Sequence, residues 1–138
     1  MADYASREGD ITALDTVTNL TTLGSETAPG ALNVPAGRTK IAQVIVAIGI
    51  LRITPTTGAG AIIFIRLGGK AVKGGEQTLV ISGAGGITTT SGSEAFIAGA
   101  IIIPADMEVI SGNTLTIAAE MAGADLGTVT VGVTVVFQ

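Results

Sequence analysis

The stretch Thr128 to Phe137, TVTVGVTVVF, places Val129, Val131, Val133, Val135 and Phe137 at every second position, with Thr128, Thr130, Gly132 and Thr134 between them. Side chains of an extended strand alternate between two faces, whereas those of a helix return every 3.6 residues, so this period of two predicts a half-buried strand. Thr114 to Met121 behaves alike. Leu115, Ile117, Ala119 and Met121 form its inward face and Thr114, Thr116, Ala118 and Glu120 its outward one, with Gly112-Asn113 before and Gly123 after as turn signals.

Two longer apolar runs, Ile41 to Leu51 and Ala95 to Pro104, test the alternative of a membrane span. Each is about half of the roughly 20 residues a spanning helix requires, so no transmembrane segment is expected. Both are rich in Ile and Val and bounded by Pro or Gly, which predicts strands covered on both faces. Within Ile41–Ile53, one face is expected to carry Ala42, Val44, Val46, Ile48 and Ile50, and the other Ile41, Ile45, Ala47 and Leu51. Ala61–Leu67, Gln77–Ser82 after the Lys73-Gly74-Gly75 turn, a short piece at Glu108–Ile110 and a weaker Asp15–Leu23 bring the number of expected strands to about eight.

Short strands punctuated by Gly, Pro and Thr/Ser-rich turns, with no helical period between them, predict an all-β antiparallel β-sandwich. About eight strands suit a single jelly roll, and a seven-stranded immunoglobulin-like sandwich is the rival. Residues 31–138 are expected to form this domain. Residues 1–30 are polar, with Asp3, Arg7, Glu8, Asp10, Asp15 and Glu26 among scattered apolar positions, and read as an extended N-terminal arm. Such an arm can lie along a neighbouring subunit, add a strand to a sheet edge, or remain a loose terminus.

Surface composition bears on what surrounds such a domain. Hydrophobic residues make up 47% of the chain, glycines number 20 of 138 and charged residues are 13%, where about 25% charged is usual. So few charges cover a lone domain poorly, which predicts burial of much of its exterior against further copies. Every basic residue lies at or before Lys73, and the six acids after it are Glu76, Glu94, Asp106, Glu108, Glu120 and Asp125. This segregation is expected to make a bipolar surface on which a basic edge meets the acidic edge of the next copy; solvated loop charges are the simpler reading. Ile11, Leu14, Val17, Leu20, Arg38, Lys40, Arg52, Arg66, Glu108 and Glu120 are the candidate inter-subunit contacts.

The chain has no Cys and no His. Thiol, imidazole and zinc-site chemistry is thereby excluded, and no side chain has an ordinary pKa between 5 and 8. Gly58-Ala59-Gly60 and Gly83-Ala84-Gly85-Gly86 lack the Lys-Ser/Thr of a phosphate loop and read as turns. Asp106 and Glu108 have no second acidic cluster nearby for Ca²⁺. Sugar hydrolysis from Glu94, Glu108 and Glu120 would lack aromatic platforms, the aromatics being Tyr4, Phe64, Phe96 and Phe137. No catalytic residue, cofactor or metal is expected. Asn19-Leu20-Thr21 is a glycosylation sequon. The acidic arm is unsuited to binding a nucleic-acid backbone, so no direct contact of that kind is expected.

A polar arm leads to Val34-Pro35-Ala36-Gly37 and the two-sided strand from Ile41, and a Gly-Asn turn leads into Leu115–Met121 and the terminal strand Thr128–Phe137. In this order and in its Ala/Val/Ile/Thr/Gly-rich, charge-poor composition, the chain resembles the single jelly-roll capsid proteins of archaeal icosahedral viruses. The resemblance implies a virion shell subunit that assembles with itself and other capsid proteins, exchanging an N-terminal arm between neighbours. A subunit of an extracellular filament or tube built by strand donation, and a small ligand-binding β-sandwich module, are the other functions the sequence suits.

Overall fold

The computed structural model describes residues 3–13, 15–21, 31–50, 61–81, 97–123 and 129–138. Its elements are all strands: β1 (Asp3–Ile11), β2 (Thr18–Asn19), β3 (Lys40–Ile50), β4 (Ala61–Gly68), β5 (Gln77–Ile81), β6 (Ile97–Glu108), β7 (Thr116–Gly123) and β8 (Val129–Phe137). They form two four-stranded antiparallel sheets, ordered β1-β8-β3-β6 and β2-β7-β4-β5. The protein is a β-sandwich.

The alternating segments behave as their periodicity requires. Val129, Val131, Val133, Val135 and Phe137 of β8 are buried, as are Leu115, Ile117, Ala119 and Met121 at and within β7. Joining them in the core are Ile41, Val44, Val46 and Ile48 of β3, beside β8, and Ile63, Ile65 and Leu67 of β4, beside β7. No polar or charged side chain is buried among the described residues, so the core is held by apolar area alone, at roughly 25 cal/mol per Å² removed from water.

Three features differ from the sequence expectations. The first is β3: a bulge between Ile41 and Gln43 puts Ile41 in the core with Val44, not on the outward face with Ile45 and Ala47. One extra residue reverses the alternation on one side of it. The second is the piece expected at Glu108–Ile110, where Glu108 ends β6 and Val109 makes an isolated bridge to Val72. β6 runs through Pro104, which its position as an edge strand tolerates.

The third is the arm. Residues 3–11 pair with β8 along its whole length, from Asp3↔Phe137 to Ile11↔Val129, and Thr18–Asn19 pair with β7. Ile11 is fully buried and Leu20 nearly so. Both sheets therefore take strands from the first 30 residues of the same chain, and the sandwich begins at Asp3. Of the weak Asp15–Leu23 strand, Thr18–Asn19 form β2, and residues 22 and 23 lie outside the described residues. Of the turn signals, Gly112, Gly74 and Gly75 have positive φ, the region glycine enters without steric cost, whereas Gly123 is the last residue of β7 and pairs with Ala61.

Candidate assembly surface

The two faces of the sandwich that point away from the core differ in chemistry. On the outside of the first sheet, register aligns Tyr4, Val136, Gln43 and Pro104 in one row and Ser6, Thr134, Ile45 and Ile102 in the next. The β1–β8 half of this face is polar: Ser6 and Thr134 hydroxyls lie 2.7 Å apart, and Thr130 Oγ1 donates to Asp10 Oδ1 at 2.8 Å. The β3–β6 half is apolar around Ile45, Ala47 and Ile102, with Gln43 exposed beside Pro104. Ile102 is 61% exposed, Tyr4 at the other edge is 65% exposed, Ala47 and Pro104 are exposed and Ile45 is half-buried. Between the halves, Gly132 leaves a shallow trough of about 230 Å³ walled by Glu8, Ile45, Ala47 and Thr134.

The second sheet's outer face carries an ion-pair network. Arg66, on β4, reaches Glu120 on β7 at 2.8 Å and Glu76, just before β5, at 3.1 Å. The hydrogen bond with Glu120, then that with Glu76, holds the guanidinium pKa above its ordinary value, with desolvation opposing. Arg66 Nε is buried without a hydrogen-bond partner.

The candidate contact residues are distributed very differently from the bipolar surface expected. Ile11 and Leu20 lie in the core, where hydrophobic burial has already used their side chains. Val17 is 50% exposed. Arg38 pairs with Asp3, Lys40 with Asp106 at 3.1 Å, Arg66 with Glu120 and Glu76, and Glu108 with Lys73 at 3.9 Å, all within the chain. Leu14 and Arg52 lie outside the described residues, as do Gly58-Ala59-Gly60, Gly83-Ala84-Gly85-Gly86 and Glu94. Ile102 and Pro104 escaped the sequence reading because each depends on knowing which face of β6 is outward, whereas Val136 falls on the outer face by the alternation of β8. The signal available was the two-sided apolar character of Ile41–Ile53, which groups Ile45 and Ala47 on one face without choosing which face is outward.

A cleft of about 220 Å³ opens at one edge of the sandwich, lined by Leu20, Leu32, Leu115 and Ile117 with Arg7 and Asn19 at its margin. Arg7 shares the inward side of β1 by register with Val133 and donates from Nη1 to Ser6 O at 2.8 Å. Asp106 and Glu108 each face a lysine, and no group of three or more His, Cys, Asp or Glu placed to hold a metal occurs among the described residues. No helix among them is long and apolar enough to cross a membrane. Comparison of the chain with protein-family models finds no match, and comparison with curated proteins finds none.

Proposed function

We propose that the chain is the subunit of a multi-copy protein shell, folded as a single jelly roll, with the virion as its place of action. The observation that carries this reading is the apolar half of the first sheet's outer face, where Ile102 stands 61% exposed beside Ile45, Ala47 and Pro104. The other side of this same sheet already supplies the core, so its exposed apolar surface serves contact with another molecule. The strand order supports the jelly-roll assignment. β1 pairs with β8, β2 with β7, β3 with β6 and β4 with β5, which is one long hairpin rolled up so that β3 meets β8 and β4 meets β7.

The resemblance to the single jelly-roll capsid proteins of archaeal icosahedral viruses points the same way. Arm exchange has less support than face-to-face contact, because residues 3–11 are engaged within their own sheet. The test is negative-stain electron microscopy of the purified full chain, with analytical ultracentrifugation at micromolar concentration. Closed particles are expected. Strict monomers or open helical filaments would each overturn the proposal.

A further inference from the structure

The four sheet edges are unequal. β2 spans two residues and β5 five, too short to template much pairing. β1 is longer but carries Asp3, Arg7, Glu8 and Asp10 in nine residues, the charged protection that soluble proteins place on edges. β6 is twelve residues long and has one partner strand among the described residues, β3. From Ile97 through Ile103 it reads IAGAIII, without a charge or a proline. Pro104, which has no N–H to donate, closes this run, and Asp106 and Glu108 follow it. An edge of this kind, β-branched and uncharged, favours pairing with another strand.

Resting on the multi-copy reading above, we propose that two copies pair through the edges of β6 that have no partner strand among the described residues. The pairing is antiparallel about a two-fold axis at Ala100, which joins two four-stranded sheets into one of eight. Charge selects the occupant. A β1-to-β1 contact would set three acids, Asp3, Glu8 and Asp10, against one base, Arg7, from each copy in a chain of net charge −4, whereas Ile97–Ile103 meets its own image with no like charges opposed. A two-fold interface requires this self-complementarity, and an antiparallel pair of identical strands supplies it. Centring on Ala100 places Ile102 opposite Ala98 of the second copy and stops the ladder at Pro104 from both ends. Seven residues at about 3.3 Å each give a ladder some 23 Å long. That is a narrow contact compared with the 1,200–2,000 Å² of a stable interface, so the pair works beside the further contacts of a shell.

The absence of cysteine from the chain makes the test clean. Ala100→Cys introduces a lone thiol whose Cα would stand about 4.5–5.5 Å from its mate, within disulfide range. Val80→Cys on β5 and Tyr4→Cys on β1, both at exposed positions, serve as controls. Under mild oxidation, non-reducing electrophoresis is expected to show several-fold more dimer for Ala100→Cys than for either control. A mixture of Ala98→Cys and Ile102→Cys proteins is expected to cross-link to each other, which preserves the test should Ala100→Cys fold poorly. Particles that form without these links would overturn the pairing and leave the shell reading standing. Links without particles would support the pairing and count against the shell.

Discussion

Gly69 has φ +92°, and a Cβ placed there would stand 2.5 Å from the backbone oxygen of Thr114. That same oxygen accepts the Ala71 N–H at 3.0 Å, so the close approach belongs to the hydrogen bonding that ties the end of β4 to the start of β7. Gly69→Ala combines left-handed backbone strain with a backbone clash, and is expected to cost at least about 1–3 kcal/mol in urea unfolding. Gly9 is a milder case, because the tightest contact of a Cβ there would be Leu20 Cδ2, at 3.2 Å, the far end of a side chain that can turn aside, with the backbone of Leu20 and Asn19 at ordinary distances. Ile65, fully buried at the centre of the second sheet, is a test of packing alone. Ile65→Ala should lower stability by about 2–5 kcal/mol, read from the denaturation midpoint at unchanged slope.

Strands with one buried and one polar face were legible residue by residue, as β8 and β7 show. β1 was not. Its inward positions by register are Asp3, Ala5, Arg7, Gly9 and Ile11, and only Ile11 is fully buried. A strand held chiefly by backbone pairing to an edge leaves little hydrophobic pattern to read. The bulge in β3 was equally silent, since Ile41 is apolar on either face. The consequence for β1 is an expected outcome opposite to that of a detachable arm: deletion of residues 1–13 should abolish cooperative unfolding by circular dichroism, because it bares the edge of β8 and removes Ile11 from the core. A truncated chain that unfolds with the full-length midpoint would show β1 to be dispensable. The outer face of the first sheet was half legible: Val136 follows from the alternation of β8, and Ile45 and Ala47 share a face by sequence, whereas Ile102 and the choice of that face as the outer one required the structure.

At the scale of the whole molecule, the segregation of bases before Lys73 from acids after it has an explanation within one chain. Nested pairing brings the first half of the sequence against the second, so Lys40 meets Asp106, Arg66 meets Glu76 and Glu120, and Lys73 meets Glu108. Charges divided along the sequence are therefore mixed in space, and sequence position alone made them look like two poles. The pH response follows from which groups are coupled to the fold. With no His, no side chain has an ordinary pKa at neutrality. The Arg66 guanidinium is held above its ordinary pKa by its hydrogen bonds with Glu120 and Glu76. A raised value means that the folded state holds this proton more tightly than the unfolded state. Its stabilisation is therefore complete throughout the neutral range and is lost only at strongly alkaline pH, as the pH rises through the folded-state value. The thermal midpoint is accordingly expected to vary by no more than about 2 °C between pH 6 and 8, below the shift that 1 kcal/mol produces in a chain of this size. Arg66→Leu should lower the midpoint without tilting that plateau, because it leaves Glu120, whose side chain is 15% exposed, without its partner. A midpoint that falls steeply between pH 6 and 7 in differential scanning calorimetry would show that another group, not Arg66, couples protonation to the fold.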